Sequence, residues 1–209
     1  MVAEGRPTKV IGHYDQMNMG IPPGLDPNTG EGDKDAAFMY AVNTCLVEVD
    51  VNTGKTTVLR YHTVADVGTV GNKLALDGQA YGGLSHSIGF ALSEDFSDNN
   101  KHKNMVACGI PTIKDIPDDF SVEYLETPRP NGPHGSAGAS ECFQSSGHMA
   151  VINAINDACG VRIYDLPAKP EKIKAAWAAK QEGKELKPAK YYLGTEFEDM
   201  MEDIQNNPI

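Results

Sequence analysis

The residues of this sequence best suited to chemistry lie in one short loop, residues 132–141, which reads GPHGSAGASE. Glycine lacks a Cβ atom and tolerates positive φ, so a loop of glycine, alanine and serine can bring backbone amides close to a ligand. The loop ends at Glu141, whose carboxylate can move a proton. A surface loop with an incidental acid would have the same composition, because loops favour Gly, Ser and Pro in their turns. Both interpretations are open on composition alone.

A second unusual segment, residues 78–92, contains no charged residue. Its apolar side chains recur at helical spacing and predict a helix that is buried nearly all round. The segment contains four glycines, and each costs about 1 kcal/mol of helix stability relative to alanine. Some packing interaction or ligand contact is therefore expected to offset that cost.

The small residues of this predicted helix share one stripe, which consists of Gly78, Gly82, Ser85 and Gly89. Such a stripe suits another backbone, or a bulky ligand, lying against the helix. Gln79 and His86 lie seven residues apart on a neighbouring stripe, where an amide could donate and accept hydrogen bonds. Tight helix packing around a hydrogen-bonded core glutamine explains the pattern equally well.

Composition and charge narrow the class of protein. The chain has 209 residues, 40% of them hydrophobic, and a formal net charge of −11. This balance argues against nucleic-acid binding, which needs a basic surface for the phosphates. No apolar run approaches the roughly 18 residues of a membrane span. The first residues lack the apolar stretch of a secretory signal, so we expect a cytoplasmic protein.

Common catalytic and metal-binding motifs are absent from the sequence. The four cysteines form no C-x-x-C pair and the six histidines form no H-E-x-x-H motif, so no metal site made of protein ligands is predicted. A Walker-type phosphate loop and a strand-linked G-x-G-x-x-G are also missing. A lone carboxylate such as Glu141 cannot perform demanding chemistry unaided. Either the site is not catalytic, or a cofactor supplies the difficult step.

The remaining pattern predicts an α+β fold with mixed strands and helices. Strands are predicted at 40–51, 55–67, 120–126 and 161–164. One helix is predicted to begin after Ser145 or Ser146 and to end at Gly160, and another to run from Pro170 to Lys180. We expect three regions, namely an irregular leader at 1–35, a main segment at 36–167, and a C-terminal helix with a peripheral tail at 168–209.

Four motifs in this order resemble the molybdenum hydroxylases of the xanthine oxidase and aldehyde oxidoreductase family. They are an Asp-x-Gly turn at 66–68, a Gln-x-x-Gly helix at 79–82, a glycine-rich loop ending in glutamate at 135–141, and Gly-Val-Arg-Ile at 160–163. The resemblance covers roughly residues 35 to 175 and is strongest to bacterial aldehyde oxidoreductases. It implies the second half of a molybdopterin-binding domain.

The resemblance also implies roles for single residues. Glu141 would be the general base that acts on a metal-bound hydroxide or water, in a reaction that converts an aldehyde to a carboxylic acid. The other implied site residues bind the cofactor, molybdopterin cytosine dinucleotide with molybdenum: Gln79 and Gly82 on the helix, and Gly138, Ala139 and Ser140 in the loop. The molybdenum would be held through the sulfurs of the pterin. Ser140 departs from the family, which usually has glycine there.

The resemblance covers only part of the family's large subunit. The [2Fe–2S] clusters and the first half of the cofactor site are therefore expected on missing domains or partner chains, and this chain alone is expected to be inactive. Two alternatives are open. One is a hydroxylase of purines or other N-heterocycles with the same fold, and the other is a non-catalytic binding or assembly subunit.

Overall fold

The computed structural model describes residues 5, 9–12, 26–30, 37–184 and 206. Its main elements are, in chain order, β1 (Tyr40–Asp50), β2 (Lys55–Asp66), α1 (Lys73–Leu92), β3 (Asp119–Leu125), α2 (Cys142–Cys159) and α3 (Pro170–Gln181). The strands form one sheet in the order β1-β2-β3, and α1 and α2 pack against each other and against the sheet. This arrangement confirms the predicted α+β class.

A tight hairpin joins β1 to β2. The carboxylate of Asp50 accepts hydrogen bonds from the Asn52 backbone N–H at 2.9 Å and the Thr53 hydroxyl at 2.8 Å. Gly54 completes the turn with a φ of +78°, which is readily accessible to glycine. The two strands then pair antiparallel.

The third strand, β3, pairs parallel with β2 after the chain has passed through α1. In this register Asp66, the last residue of β2, lies beside Leu125, the last residue of β3. The segments that follow β2 and β3 therefore leave the sheet at the same edge. The glycine-rich loop is one of these segments.

The hydrophobic core lies between the sheet and the pair α1 and α2. Its largest fully buried side chains include Tyr61 from β2, Leu84 from α1, and Phe143 and Ile155 from α2. The hydroxyl group of Tyr61 donates a hydrogen bond to the backbone carbonyl of Gly147 at 2.8 Å. The sheet and α2 are thus held together by a buried polar contact as well as by apolar packing.

Small residues allow α1 and α2 to approach closely. A Cβ atom at Gly83 would lie 3.0 Å from Cβ of Phe143, and one at Gly147 would lie 2.6 Å from Oγ of Ser87. The Ser87 hydroxyl donates to the carbonyl of Gln144 at 2.8 Å. These contacts advance in the same direction along both helices, so the N-terminal ends of α1 and α2 lie at the same end of the pair.

The first helix differs from the prediction in two respects. It begins at Lys73 rather than near Gly78, because Oδ1 of Asn72 caps it by accepting a hydrogen bond from the Ala75 N–H at 3.0 Å. The prediction that it is buried nearly all round is wrong, since Gln79 and Gly82 are exposed. The uncharged segment therefore belongs to a helix that has one exposed face, which includes Gln79 and Gly82.

Two further predictions are corrected at α2 and after it. The helix begins at Cys142 with Glu141 as N-cap, rather than after Ser145 or Ser146. Ser145 lies inside the first turn, where its hydroxyl donates to the Cys142 carbonyl at 3.2 Å. Residues 161–164 form no strand; no described strand pairs with them, although Val161 and Ile163 are buried.

The ends of the other elements agree with expectation. Gly160 ends α2 with a left-handed φ of 66°, and Pro170 begins α3.

The predicted leader lies largely outside the described residues, as does the tail from 185 onward except for one residue. The boundaries at 35 and 167 remain predictions. None of the helices in the described part of the chain is both long and apolar enough to cross a membrane.

Candidate cofactor-binding and catalytic site

The base of the glycine-rich loop is fixed by an ion pair at the edge of the sheet. Nη2 of Arg129 lies 3.1 Å from Oδ1 of Asp66, and both side chains are largely buried. The same guanidinium donates to the backbone carbonyls of Phe38 at 2.8 Å and Thr127 at 2.7 Å. Arg129 therefore connects the start of β1, the end of β2 and the loop after β3.

Asp66 also organises the backbone around it. Its Oδ1 accepts from the N–H of Gly68 at 3.2 Å and from the N–H of Thr127 at 3.1 Å. Hydrogen bonding with the Thr127 side chain foremost, then the backbone N–H groups of Thr127 and Gly68 and the charge of Arg129, lower the pKa of Asp66 to about 2. The carboxylate is thus ionised at neutral pH and accepts from several donors at once.

A short bridge then pairs the loop with the turn after β2. Gly68 and Ser136 face each other in an antiparallel bridge, and the N–H of Ala137 donates to the carbonyl of Val67 at 2.9 Å. The Ser136 hydroxyl donates to the carbonyl of Thr69 at 2.6 Å. The path of the loop is therefore determined up to residue 137.

The next three residues leave their backbone donors free. No hydrogen bond within the described part of the chain uses the N–H of Gly138, Ala139 or Ser140. A Cβ atom at Gly138 would have no atom of the described residues within 4 Å. Three consecutive amides on an anchored loop are thus available to a ligand.

Glu141 follows these amides directly and is the N-cap residue of α2. It has helical backbone angles, and its side chain makes no capping hydrogen bond. The residue is exposed, and its carboxylate has no hydrogen-bond or ion-pair partner among the residues that the structure describes. It is therefore free to act on a group placed beside the loop.

The uncovered face of α1 begins at the same end of the helix pair. Gln79 lies one turn before Gly83, the residue that contacts Phe143 near the start of α2. Gln79 and Gly82 are exposed, and among the residues that the structure describes, none has an atom within 4 Å of a Cβ placed at Gly78 or Gly82. The stripe of small residues thus leaves a bare surface, whereas the close helix contact uses Gly83 and Gly147.

The predicted site residues lie on two elements. Gln79 and Gly82 are in α1, and Gly138, Ala139, Ser140 and Glu141 form the end of the loop that leads into α2. Sequence reasoning missed Arg129, which anchors the loop. The signal available was its position between Pro128 and Pro130, a pattern that predicts a restrained, extended segment but names no partner. The pairing with Asp66 crosses more than sixty residues of sequence.

These residues fit a flat, bulky organic cofactor. The bare face at Gly78 and Gly82 leaves room for one, the amide of Gln79 can donate and accept, and the free amides of the loop add further donors. Across residues 37–184 and the shorter described stretches, no group of three or more His, Cys, Asp or Glu side chains is placed to hold a metal ion.

A family model, two relatives and a solved structure agree in what this chain is similar to. Residues 1–117 match the family model described as a molybdopterin cofactor-binding domain. The chain is 47% identical to an aldehyde oxidoreductase of Megalodesulfovibrio gigas over 85% of its length, and 35% identical to a probable hypoxanthine oxidase of Escherichia coli K12 over 68%. A solved structure of the aldehyde oxidoreductase from Desulfovibrio gigas superimposes with a TM-score of 0.71 at 50% identity, covering 75% of this chain.

The relatives are much longer than this chain. The chain spans 19% of the Megalodesulfovibrio gigas protein and 15% of the Escherichia coli protein, and 17% of the superimposed chain. The similarity therefore concerns about one fifth or less of each relative. Gln79 and Gly82 lie inside the family match, and the loop ending at Glu141 lies beyond it.

Proposed function

The chain belongs to the molybdopterin cofactor-binding domain family of the molybdenum hydroxylases, and from this premise we propose that it forms one side of the cofactor site in an enzyme that oxidises an aldehyde to a carboxylic acid. The aldehyde is favoured as substrate because the relative with 47% identity is an aldehyde oxidoreductase.

One observation carries the proposal. The amides of Gly138, Ala139 and Ser140 and the carboxylate of Glu141, which follow one another in sequence, make no hydrogen bond within the described part of the chain, on a loop whose base is fixed by Arg129. Hydrogen-bond donors held beside a base are the arrangement that stabilises developing negative charge while a proton is removed.

Some of these residues bind the cofactor, and others take part in proton transfer. Gln79 binds the pterin through its side-chain amide, and Gly82 lets the cofactor lie against the backbone of α1. When bound, the molybdenum cofactor would accept the two electrons released as the C–H bond of the aldehyde breaks. The Glu141 carboxylate accepts the proton of the oxygen nucleophile as that oxygen attacks the aldehyde carbon, and the loop amides donate hydrogen bonds to the reacting group.

The proposal extends to the form of the cofactor and to partners. We expect molybdopterin cytosine dinucleotide, with the molybdenum held through the pterin. The rest of the cofactor site and the [2Fe–2S] clusters would lie on other domains or subunits, because this chain spans only one fifth of its 47% identical relative.

Replacement of Glu141 by glutamine in the assembled enzyme tests the catalytic role. Glutamine keeps the size of the side chain but cannot accept the proton, so kcat/KM for an aldehyde should fall by about 10²–10⁴-fold while the molybdenum content is unchanged. Glu123→Gln is the matched control, since Glu123 is an exposed carboxylate on β3. Turnover of Glu141→Gln equal to that of Glu123→Gln would refute the assignment.

A second candidate activity is hydroxylation of N-heterocycles. It is favoured by two relatives, the probable hypoxanthine oxidase at 35% identity and the large subunit of nicotine 6-hydroxylase from Paenarthrobacter nicotinovorans at 32%. Comparison of kcat/KM for aldehydes, hypoxanthine and nicotine in the assembled enzyme would distinguish the two activities. Cofactor binding without turnover of any of them would indicate a non-catalytic subunit.

A further inference from the structure

A buried carboxylate, that of Glu94, lies outside the residues described above. Glu94 lies two residues after the end of α1, and its side chain is only 3% exposed. Its Oε1 atom has no hydrogen-bond partner in the described part of the chain. Burial raises the pKa of Glu94, and the nearby His86 opposes that effect. Burying an unpaired carboxylate oxygen is unfavourable, so a role for this group is expected.

The structure has a specific place for this carboxylate against α1. A Cβ atom at Gly89 would overlap Oε1 of Glu94 and would lie 2.7 Å from Cδ of Pro111. The backbone N–H of Glu94 also donates to the carbonyl of Gly89 at 2.8 Å. Only glycine at position 89 allows the carboxylate to lie against the helix.

The group facing the unpaired oxygen is an imidazole. Nδ1 of His86 lies 3.7 Å from Oε1 of Glu94, which is just beyond hydrogen-bond distance. The His86 side chain is 50% exposed, and its ring packs edge-on against Phe90 with centroids 6.0 Å apart. Nδ1 is thus the ring nitrogen near the buried carboxylate, and half of the imidazole side chain remains open to a ligand.

His86 lies on the uncovered face of α1. At 100° per residue, His86 follows Gln79 by two turns and Gly82 by about one turn, so the three residues share one face. Gln79 and Gly82 carry the proposed pterin contact. A cofactor lying along this face would extend toward His86.

We propose that Glu94 and His86 form a positioning pair for the pterin cofactor, in which Glu94 accepts a hydrogen bond from Nδ1–H of His86 and Nε2 accepts one from an N–H group of the pterin. In the neutral imidazole one nitrogen donates and the other accepts, so the carboxylate determines which nitrogen faces the ligand. The pair extends the proposed site beyond Gln79 and Gly82, and it rests on the proposed function.

The tautomer of His86 tests the first half of the proposal without any cofactor. In the full 209-residue chain with ¹⁵N-labelled histidine, at a pH where imidazole is neutral, NMR should show the proton of His86 on Nδ1. Glu94→Leu removes the acceptor and should shift the proton toward Nε2. A wild-type chain with the proton on Nε2, or an unchanged tautomer in the variant, would overturn the pair.

Cofactor retention in the assembled enzyme tests the second half. His86→Ala should release pterin about three- to tenfold faster than wild type, the effect of one hydrogen bond. His86→Gln retains a hydrogen-bond acceptor and should restore most of the retention. Lys174→Ala is the control, because Lys174 is exposed on α3, which lies outside the proposed cofactor site.

The possible results separate this inference from the proposed function. Equal release in wild type and His86→Ala would overturn the pair and leave the proposed function standing. Equal loss in His86→Ala and His86→Gln would show that Nε2 is not an acceptor for the cofactor. Absence of pterin from the wild-type assembly would overturn the proposed function and this inference together.

Discussion

Replacement of Gly82 by alanine should stabilise this protein and weaken its binding of the cofactor. Gly82 lies inside α1 and is exposed, and a Cβ atom there would be more than 4 Å from every atom in the described part of the chain. Alanine in the interior of a helix is favoured over glycine by about 1 kcal/mol. With no clash to subtract, the free energy of unfolding of the chain should rise by about that amount, which raises Tm by about 2–4 °C.

The effect on binding should have the opposite sign. A methyl group placed where the pterin lies against the helix backbone costs about 1–3 kcal/mol, which corresponds to roughly 5- to 150-fold weaker binding. Thermal unfolding of the chain alone measures the stability, and molybdenum and pterin content of the assembled enzyme measures the binding. Gly82→Ala should thus change the stability of the chain and its affinity for the cofactor in opposite directions.

Gly147→Ala is the control at a glycine that is tightly packed. A Cβ atom there would lie 2.6 Å from Oγ of Ser87 and 2.7 Å from the hydroxyl oxygen of Tyr61. This overpacking should lower the free energy of unfolding by about 1–3 kcal/mol. The reasoning is refuted if Gly82→Ala destabilises the chain, or if it stabilises the chain and the assembled enzyme retains its cofactor normally.

Two further predictions concern stability. The pKa of Asp66 is about 2 in the folded chain, below the roughly 3.9 of aspartate in an unfolded chain. The ionised carboxylate therefore stabilises the fold above about pH 4, and this stabilisation is lost as the pH falls toward 2. Asp66→Asn should therefore lose less stability than wild type between pH 5 and pH 2.5 in denaturant titrations, and parallel losses would contradict this. Tyr61→Phe removes the buried hydrogen bond to Gly147 and should lower the free energy of unfolding by about 1 kcal/mol; an unchanged denaturation midpoint would contradict the importance of that contact.

Local sequence signals predicted much of the fold. Alternating burial in β1 follows the alternation of apolar and polar residues, and the predicted and observed ends agree within one residue. Gly160 and Pro170 ended and began helices where their backbone preferences indicated. At each of these positions a residue's own conformational preference determines the structure.

The predictions were wrong where contacts between residues that are distant in sequence determine the structure. Ser145 and Ser146 are good N-cap residues, yet α2 begins before them because the loop, anchored by Arg129 to Asp66, delivers the chain to the helix at Glu141. Residues 161–164 have strand-like composition but no strand beside them in the described part of the chain. The exposure of Gln79 could not be predicted from a helix whose uncharged residues suggest burial.

The candidate site was predicted in part. The residues of the loop and of the Gln-x-x-Gly helix stood out because glycine is costly in such places. That the amides of residues 138–140 have no partner among the described residues is a property of the folded backbone, and no residue type signals it. The place of Glu94 against Gly89 likewise depends on contacts that only the three-dimensional structure shows.

The anchoring of the loop by Arg129 has a consequence for affinity. Its guanidinium holds carbonyls from separate segments of the chain, so the approach to residues 138–140 loses its conformational entropy when the protein folds. Binding of a ligand then carries little further ordering cost for this segment, and more of the contact energy is expressed as affinity. The entropy cost of ordering this part of the site is therefore included in the free energy of folding and not in that of binding.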